Sequence, residues 1–123
     1  MENGKTADPA AVGPYEMFRE YNGLLFISGQ VSCDPVTGQS IYGSITEQTK
    51  LCLQNLRTVL EGAGSGMEKV LKCNVHMVDL SDFDEMNREY QRHFTPPYPA
   101  RITFGVTKLY DGLAIEIDAV AHR

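Results

Sequence analysis

Towards its C-terminus the chain alternates apolar and polar residues on both sides of an Asp-Gly pair. Ile102, Phe104 and Val106 alternate with Arg101, Thr103 and Gly105, and Leu113, Ile115, Ile117 and Ala119 alternate with Ala114, Glu116 and Asp118. A period of two marks a strand with one buried face. Asp111-Gly112 between the two runs is a hairpin-turn pair. The expectation is an antiparallel hairpin whose apolar faces meet helices and whose polar faces, carrying Arg101 and Glu116, look the other way.

The rest of the chain supplies those helices. Ser44-Ile-Thr-Glu47 has the form of a capping box. The helix it opens carries Ile45, Cys52, Leu56, Val59 and Leu60 near one face, and Gly62 and Gly64 end it. Ser81 and Asp82 offer N-caps for a second helix with Phe83, Met86, Tyr90 and Phe94 along one stripe. Pro96, Pro97 and Pro99 then force extended chain. Leu24 to Val31 reads as a strand, followed by an Asp34-Pro-Val-Thr-Gly38 turn. Leu71, Cys73, Val75 and Met77 alternate with Lys72, Asn74 and His76, which makes a further strand with one buried face.

These elements predict one α+β domain spanning 1–123, with a single mixed sheet and two helices on one face, and a flexible start over 1–13. Its 123 residues suffice for one core. One sheet covered on a single side leaves the other face open, which association through that face would resolve.

Composition excludes several function classes. With 42% apolar and 22% charged residues the chain is ordinary for a globular protein. No apolar run approaches a membrane span and nothing at the N-terminus resembles a signal peptide or presequence, so a cytoplasmic location is expected. The net charge of −5, without a Lys/Arg cluster or an aromatic-basic motif, argues against nucleic acid as partner. Cys33, Cys52 and Cys73 show no Cys-x-x-Cys spacing and read as buried small residues. His76, His93 and His122 are scattered and read as solvated surface side chains. They form no metal-ligand spacing and no nucleophilic triad. No glycine-rich phosphate loop is present. A site without metal or cofactor is the working expectation.

Arg101 and Glu116 are the candidates for chemistry. A guanidinium fork grips a carboxylate at two points, and a carboxylate holds water or moves protons. Arg101 equally suits a structural ion pair, and Glu116 an exposed strand carboxylate. Tyr98, beside two prolines, is read as packing. A turn at Asp111-Gly112 places Glu116 opposite Thr107, about six residues or roughly 20 Å of strand from Arg101. One chain would hardly bring both to one small ligand, whereas a neighbouring subunit could.

Several short runs, taken in order, resemble the Rid (YjgF) family of RidA-type reactive intermediate deaminases. They are Gly13-Pro14-Tyr15, Ser28-Gly29-Gln30, Asn55, Ala63-Gly64, Asn87, Pro99-Ala-Arg101 and Ile115-Glu-Ile-Asp118. The resemblance implies a chorismate-mutase-like homotrimer with sites between subunits. It implies cofactor-free hydrolysis of 2-imino acids, such as 2-iminobutanoate and 2-iminopropanoate, or their enamines, to 2-keto acids and ammonia. By the same resemblance Arg101 binds the substrate carboxylate, Glu116 holds or activates the attacking water, and Tyr15 and Ser28 line the site. Thr103 stands where cysteine is common, and serves if that position contributes its backbone amide. A non-catalytic protein that binds a 2-keto acid in the same cleft is the alternative. An RNA-cleaving role, attributed to some members, fits the acidic balance poorly.

Overall fold

The computed structural model describes residues 13–123. All but the last residue of the start expected to be flexible lies outside that range. Seven elements follow in order: β1 (Phe18–Tyr21), β2 (Leu24–Val31), α1 (Ile45–Gly62), β3 (Val70–Met77), α2 (Phe83–Gln91), β4 (Ala100–Gly105) and β5 (Ile115–His122). The strands form one five-stranded sheet in the order β1-β2-β5-β3-β4. Every neighbouring pair is antiparallel except β3 and β4, which run parallel. The sheet is mixed and both helices lie on one face, as the sequence predicts.

The capping box forms as read. The Glu47 amide donates to Ser44 Oγ at 3.1 Å, and the Ser44 amide donates to Glu47 Oε1 at 3.0 Å. These contacts satisfy two backbone donors that open a helix unpaired. From α1, Leu53, Leu56, Val59 and Leu60 pack with Met86 of α2 on Leu25, Val75, Ile115 and Ile117 of the sheet, all buried. Asp79 rather than Ser81 or Asp82 makes the side-chain cap before α2. Its carboxylate accepts from the Ser81 amide, and a short 3₁₀ turn precedes the helix. α2 stops at Gln91, so Phe94 packs on the core from beyond it.

The predicted hairpin does not form. β4 pairs with β3, and β5 lies on the other side of β3. The reason is topological. β3, α2 and β4 make a strand–helix–strand crossover, and such a connection returns the chain parallel to its first strand. Asp111 and Gly112 do adopt the left-handed turn conformation, with φ of 55° and 72°. Their turn lies in a loop that carries the chain past the end of β3. Two contacts tether it there: Ser40 Oγ donates to Asp111 Oδ2, and the Tyr42 hydroxyl to the Asp111 carbonyl, both at 2.7 Å. The tight hairpin is instead at Asn22-Gly23, joining β1 to β2, with φ of 51° and 81°.

Parallel pairing also reverses the expected faces of β4. Arg101 and Thr103 align with Cys73 and Val75, whose side chains are buried on the helix side. Ile102 and Phe104, predicted to be core, therefore point to the open face and stay 45% and 41% exposed. Leu71, also predicted to be core, is exposed because the β3–β5 register slips between Val70 and Lys72.

Candidate functional site

Glu116 sits near the middle of the open sheet face. Its register partners are His76 on β3 and Val31 on β2. The side chain lies across the backbone of Gly29, where an added Cβ would overlap its carboxylate and come within 2.8 Å of Cδ. Glycine lets the carboxylate lie against the strand. Gly29 belongs to the irregular stretch between Ile27 and Gln30, where the β2–β5 register shifts. Bulges of this kind re-aim side chains next to functional sites.

Glu116 borders a cavity of about 360 Å³ together with Tyr15, Ser28, Gln30, Cys33 and Tyr110. Ser28 Oγ donates to the Glu16 carbonyl at 2.6 Å, which holds the segment bearing Tyr15 to β2. Burial pushes the Glu116 carboxyl above the usual carboxylate range; the His76 charge opposes this and Asp118 adds to it. His76 is held firmly. Its Nε2 lies 3.0 Å from Asp118 Oδ2, its ring stacks on Phe104 with centroids 5.2 Å apart, and Asn74 Nδ2 donates to Asp118 Oδ1 at 2.7 Å. His93 is likewise no solvated surface histidine. It lies 2.8 Å from Glu89, and both side chains are largely buried.

Arg101 lies on the other face of the sheet, over α2. Its guanidinium carbon is 4.7 Å from the Tyr90 ring centroid and 5.7 Å from that of Phe83. Aromatic faces attract a cation without occupying its N–H fork. Among the described residues Arg101 takes part in no ion pair. It opens onto a second cavity of about 440 Å³, shared with Asn87, Gln91, Tyr98 and Pro99. Tyr98 is therefore half exposed beside the guanidinium, not packed away as expected. The Tyr90 hydroxyl beneath is buried, beside the Cys73 thiol and the Arg101 guanidinium.

Thr103 follows on the same edge strand. The Val106 amide donates to the Met77 carbonyl. By the alternation of a parallel strand, the amides of Ile102 and Phe104 also face β3, while those of Arg101 and Thr103 face away from the sheet. The Thr103 N–H thus stands at an unpaired edge beside Arg101.

The predicted site residues fall into two groups. Tyr15, Ser28 and Glu116 share one cavity, while Arg101 lines another on the opposite side of the sheet and Thr103 follows it along β4. From the sequence, Gln30 and Asp118 were picked out only within the Ser28-Gly29-Gln30 and Ile115-Glu-Ile-Asp118 runs, and Tyr110 and the His76–Asp118 contact were not picked out. The β3–β5 register sets His76 beside Glu116, and the loop before β5 brings Tyr110 to the cavity. All three cysteines are free and buried, as read. Burial raises the Cys73 thiol to about 11 and Cys52 well above its ordinary value, so neither is an active thiolate. Among the described residues no cluster of His, Cys, Asp and Glu could hold a metal, and no helix is long and apolar enough to cross a membrane.

The fold of this small α+β sheet protein has solved counterparts. RidA from the Antarctic bacterium Psychrobacter sp. superposes with a TM-score of 0.91 at 33% identity, over 99% of this chain and 97% of that one. The family described as Endoribonuclease L-PSP matches residues 5–123, and the chain belongs to it, the Rid (YjgF) family. The chain is 42% identical over 112 residues to RutC family protein y4sK of Sinorhizobium fredii, across 91% of this chain and 89% of that protein. It is 37% identical over 113 residues to 2-iminobutanoate/2-iminopropanoate deaminase of Homo sapiens, across 92% and 82%.

Proposed function

We propose that this chain is a cytosolic, cofactor-free deaminase. It hydrolyses small 2-imino acids and their enamine tautomers to 2-keto acids and ammonia, in clefts between the subunits of a homotrimer. The observation that carries this reading is Arg101: a guanidinium held on two aromatic rings, without an acidic partner among the described residues, facing a cavity. A side chain kept charged and unpaired in this way suits a carboxylate that arrives with the substrate.

Each part then has a task. The Arg101 fork and the outward Thr103 amide bind the two carboxylate oxygens. Glu116 of a neighbouring copy orients a water on C2 and takes its proton as the oxygen–carbon bond forms. That proton passes to the nitrogen, giving the tetrahedral carbinolamine; Glu116 then relays the carbinolamine hydroxyl proton to the nitrogen, the C–N bond breaks as the carbonyl forms, and ammonia leaves the 2-keto acid. A neighbouring copy is required because Arg101 and Glu116 lie on opposite faces of the sheet. The unpaired edge of β4 and the exposed Phe26, Ile102 and Phe104 of the open face supply surface for that contact. Deaminase is the name of some relatives, and endoribonuclease stands in the family description. A net charge of −5 and cavities sized for small molecules favour the former.

The test is ammonia release from freshly generated 2-iminobutanoate, with sedimentation of the same preparation. Acceleration over the spontaneous rate by a trimer is expected. Binding of 2-oxobutanoate without acceleration would leave a sensor in place of an enzyme, and a stable monomer at micromolar concentration would remove the shared cleft.

A further inference from the structure

The lining of the Glu116 cavity presents more apolar than polar surface. Met17, Val31, Cys33 and the Tyr110 ring contribute to it. Gln30 is 2% exposed, and its amide nitrogen is already committed, donating to the Ser28 carbonyl at 3.0 Å and lying 3.7 Å from Met17 Sδ. Among the described residues Glu116 is the one charged group in the lining.

Substrate geometry assigns this space. C2 of a 2-imino acid carries a carboxylate, a nitrogen and a side chain. On the reading proposed above, the carboxylate is held by Arg101 of a neighbouring copy, which is no part of this cavity's own lining, and C2 faces the water on Glu116. The nitrogen is one atom. The group left to occupy the cavity is the side chain. A volume of about 360 Å³ would hold about a dozen waters at roughly 30 Å³ each. The two carbons of the 2-iminobutanoate side chain leave most of it unfilled, whereas a branched or aromatic side chain fills it.

We infer that the Glu116 cavity is a side-chain subsite selecting imines with bulky apolar side chains, those derived from leucine-like and phenylalanine-like amino acids, over the three- and four-carbon imines. The inference rests on the deaminase reading for its orientation of the substrate. Its selectivity follows from burial: each methylene taken from water into an apolar wall strengthens binding about fourfold. Two more methylenes than 2-iminobutanoate then give a gain of roughly 15-fold. An acidic side chain meets Glu116 and an apolar wall, and is rejected.

The experiment generates imines in situ with an amino-acid oxidase plus catalase, from alanine, 2-aminobutanoate, leucine, phenylalanine and glutamate. Ammonia release is followed for the intact protein. The expected kcat/KM rises from alanine to leucine by tenfold or more, with the glutamate-derived imine lowest. A flat or falling series, with all imines hydrolysed, overturns the subsite and leaves the deaminase reading standing. Should no imine be turned over, the deaminase reading fails and dissociation constants for pyruvate, 2-oxobutanoate, 4-methyl-2-oxopentanoate and phenylpyruvate decide the subsite. The same rank order supports it, and equal affinities overturn it. Val31→Phe, which fills the cavity beside Glu116, should turn the preference towards the alanine-derived imine. An unchanged preference in a folded variant counts against the assignment.

Discussion

Gly29→Ala is a substitution of one methyl group that tests whether the position of the Glu116 carboxylate matters. The new Cβ would lie 2.8 Å from Glu116 Cδ and 3.0 Å from Cγ, and would overlap Oε2. Ordinary contact begins near 3.4 Å, so Cδ must retreat by at least 3.4 − 2.8 = 0.6 Å, and the oxygen ahead of it by more. The three nearest atoms all belong to that one flexible side chain, so the first clash is with it. Gly29 does not occupy the left-handed region, so alanine adopts its backbone without strain. Alanine in a strand also gains about 0.5–1 kcal/mol over glycine, which offsets the displaced side chain. Stability should therefore stay within about 1 kcal/mol of the parent by urea unfolding. Turnover is another matter: a misplacement of about 1 Å at a reacting group costs on the order of 100-fold. The assay is ammonia release from 2-iminobutanoate alongside the affinity for 2-oxobutanoate, which Arg101 governs. A large loss of kcat with little change in affinity is expected. Full turnover by a folded Gly29→Ala protein would refute the water-positioning role of Glu116.

Three further variants probe the remaining parts. Arg101→Lys keeps the charge but loses the planar fork and its stacking on Tyr90. It should lose most imine hydrolysis, on the order of 2–5 kcal/mol, in a protein that stays folded and associated, and near-normal ammonia release would end the clamp assignment. His76→Gln removes the positive neighbour that lowers the Glu116 carboxyl and leaves Asp118, which raises it. Because Glu116 acts ionised and burial already raises its pKa, the acid limb of the pH–rate profile should move to higher pH while the alkaline plateau stays; an unmoved limb would show that His76 is only structural. Thr103→Cys should be close to neutral, since the backbone amide at the open edge is the proposed contact, and a large gain in turnover would transfer the role to the side chain.

Much of the fold was legible because its signals are local. β2 has the bounds read from the sequence, Leu24–Val31, and the capping box sits where Ser44 and Glu47 place it. What failed was pairing. Asp111-Gly112 has the turn conformation its residues favour, yet the competing order of β3, α2 and β4 decided the partner of β4. A strand, a helix and a strand in succession predict a parallel pair, and that signal outranks a dipeptide. The real hairpin had the stronger mark, Asn22-Gly23, but β1 is only four residues long and mostly exposed, so it lacks the alternation that reveals a strand. The face of β4 could not be read from polarity. An edge strand can turn apolar residues outward, and in this one Ile102 and Phe104 face the open side while Arg101 and Thr103 face α2. The separation of Arg101 from Glu116 was anticipated, but from the wrong geometry: they are divided by the sheet itself, not by distance along a hairpin.

That division makes a sharper test of the shared cleft than any single substitution. Arg101 projects from the sheet edge toward α2, and Glu116 from the centre of the opposite face. Their cavities have no lining residue in common. If each site takes Arg101 from one copy and Glu116 from the next, two inactive proteins can complement one another. Arg101→Ala supplies intact Glu116 and Glu116→Gln supplies intact Arg101. In a closed ring of three, each site draws its two halves from adjacent subunits. Unfolding and refolding an equal mixture places an intact Arg101 beside an intact Glu116 at about one site in four. Ammonia release should then recover to about a quarter of the parent level per site, from two preparations that are each nearly inactive alone. The same preparations mixed without subunit exchange should stay inactive, which separates complementation from residual activity. A refolded mixture that sediments as a trimer yet recovers nothing would mean that Arg101 and Glu116 never meet at one ligand.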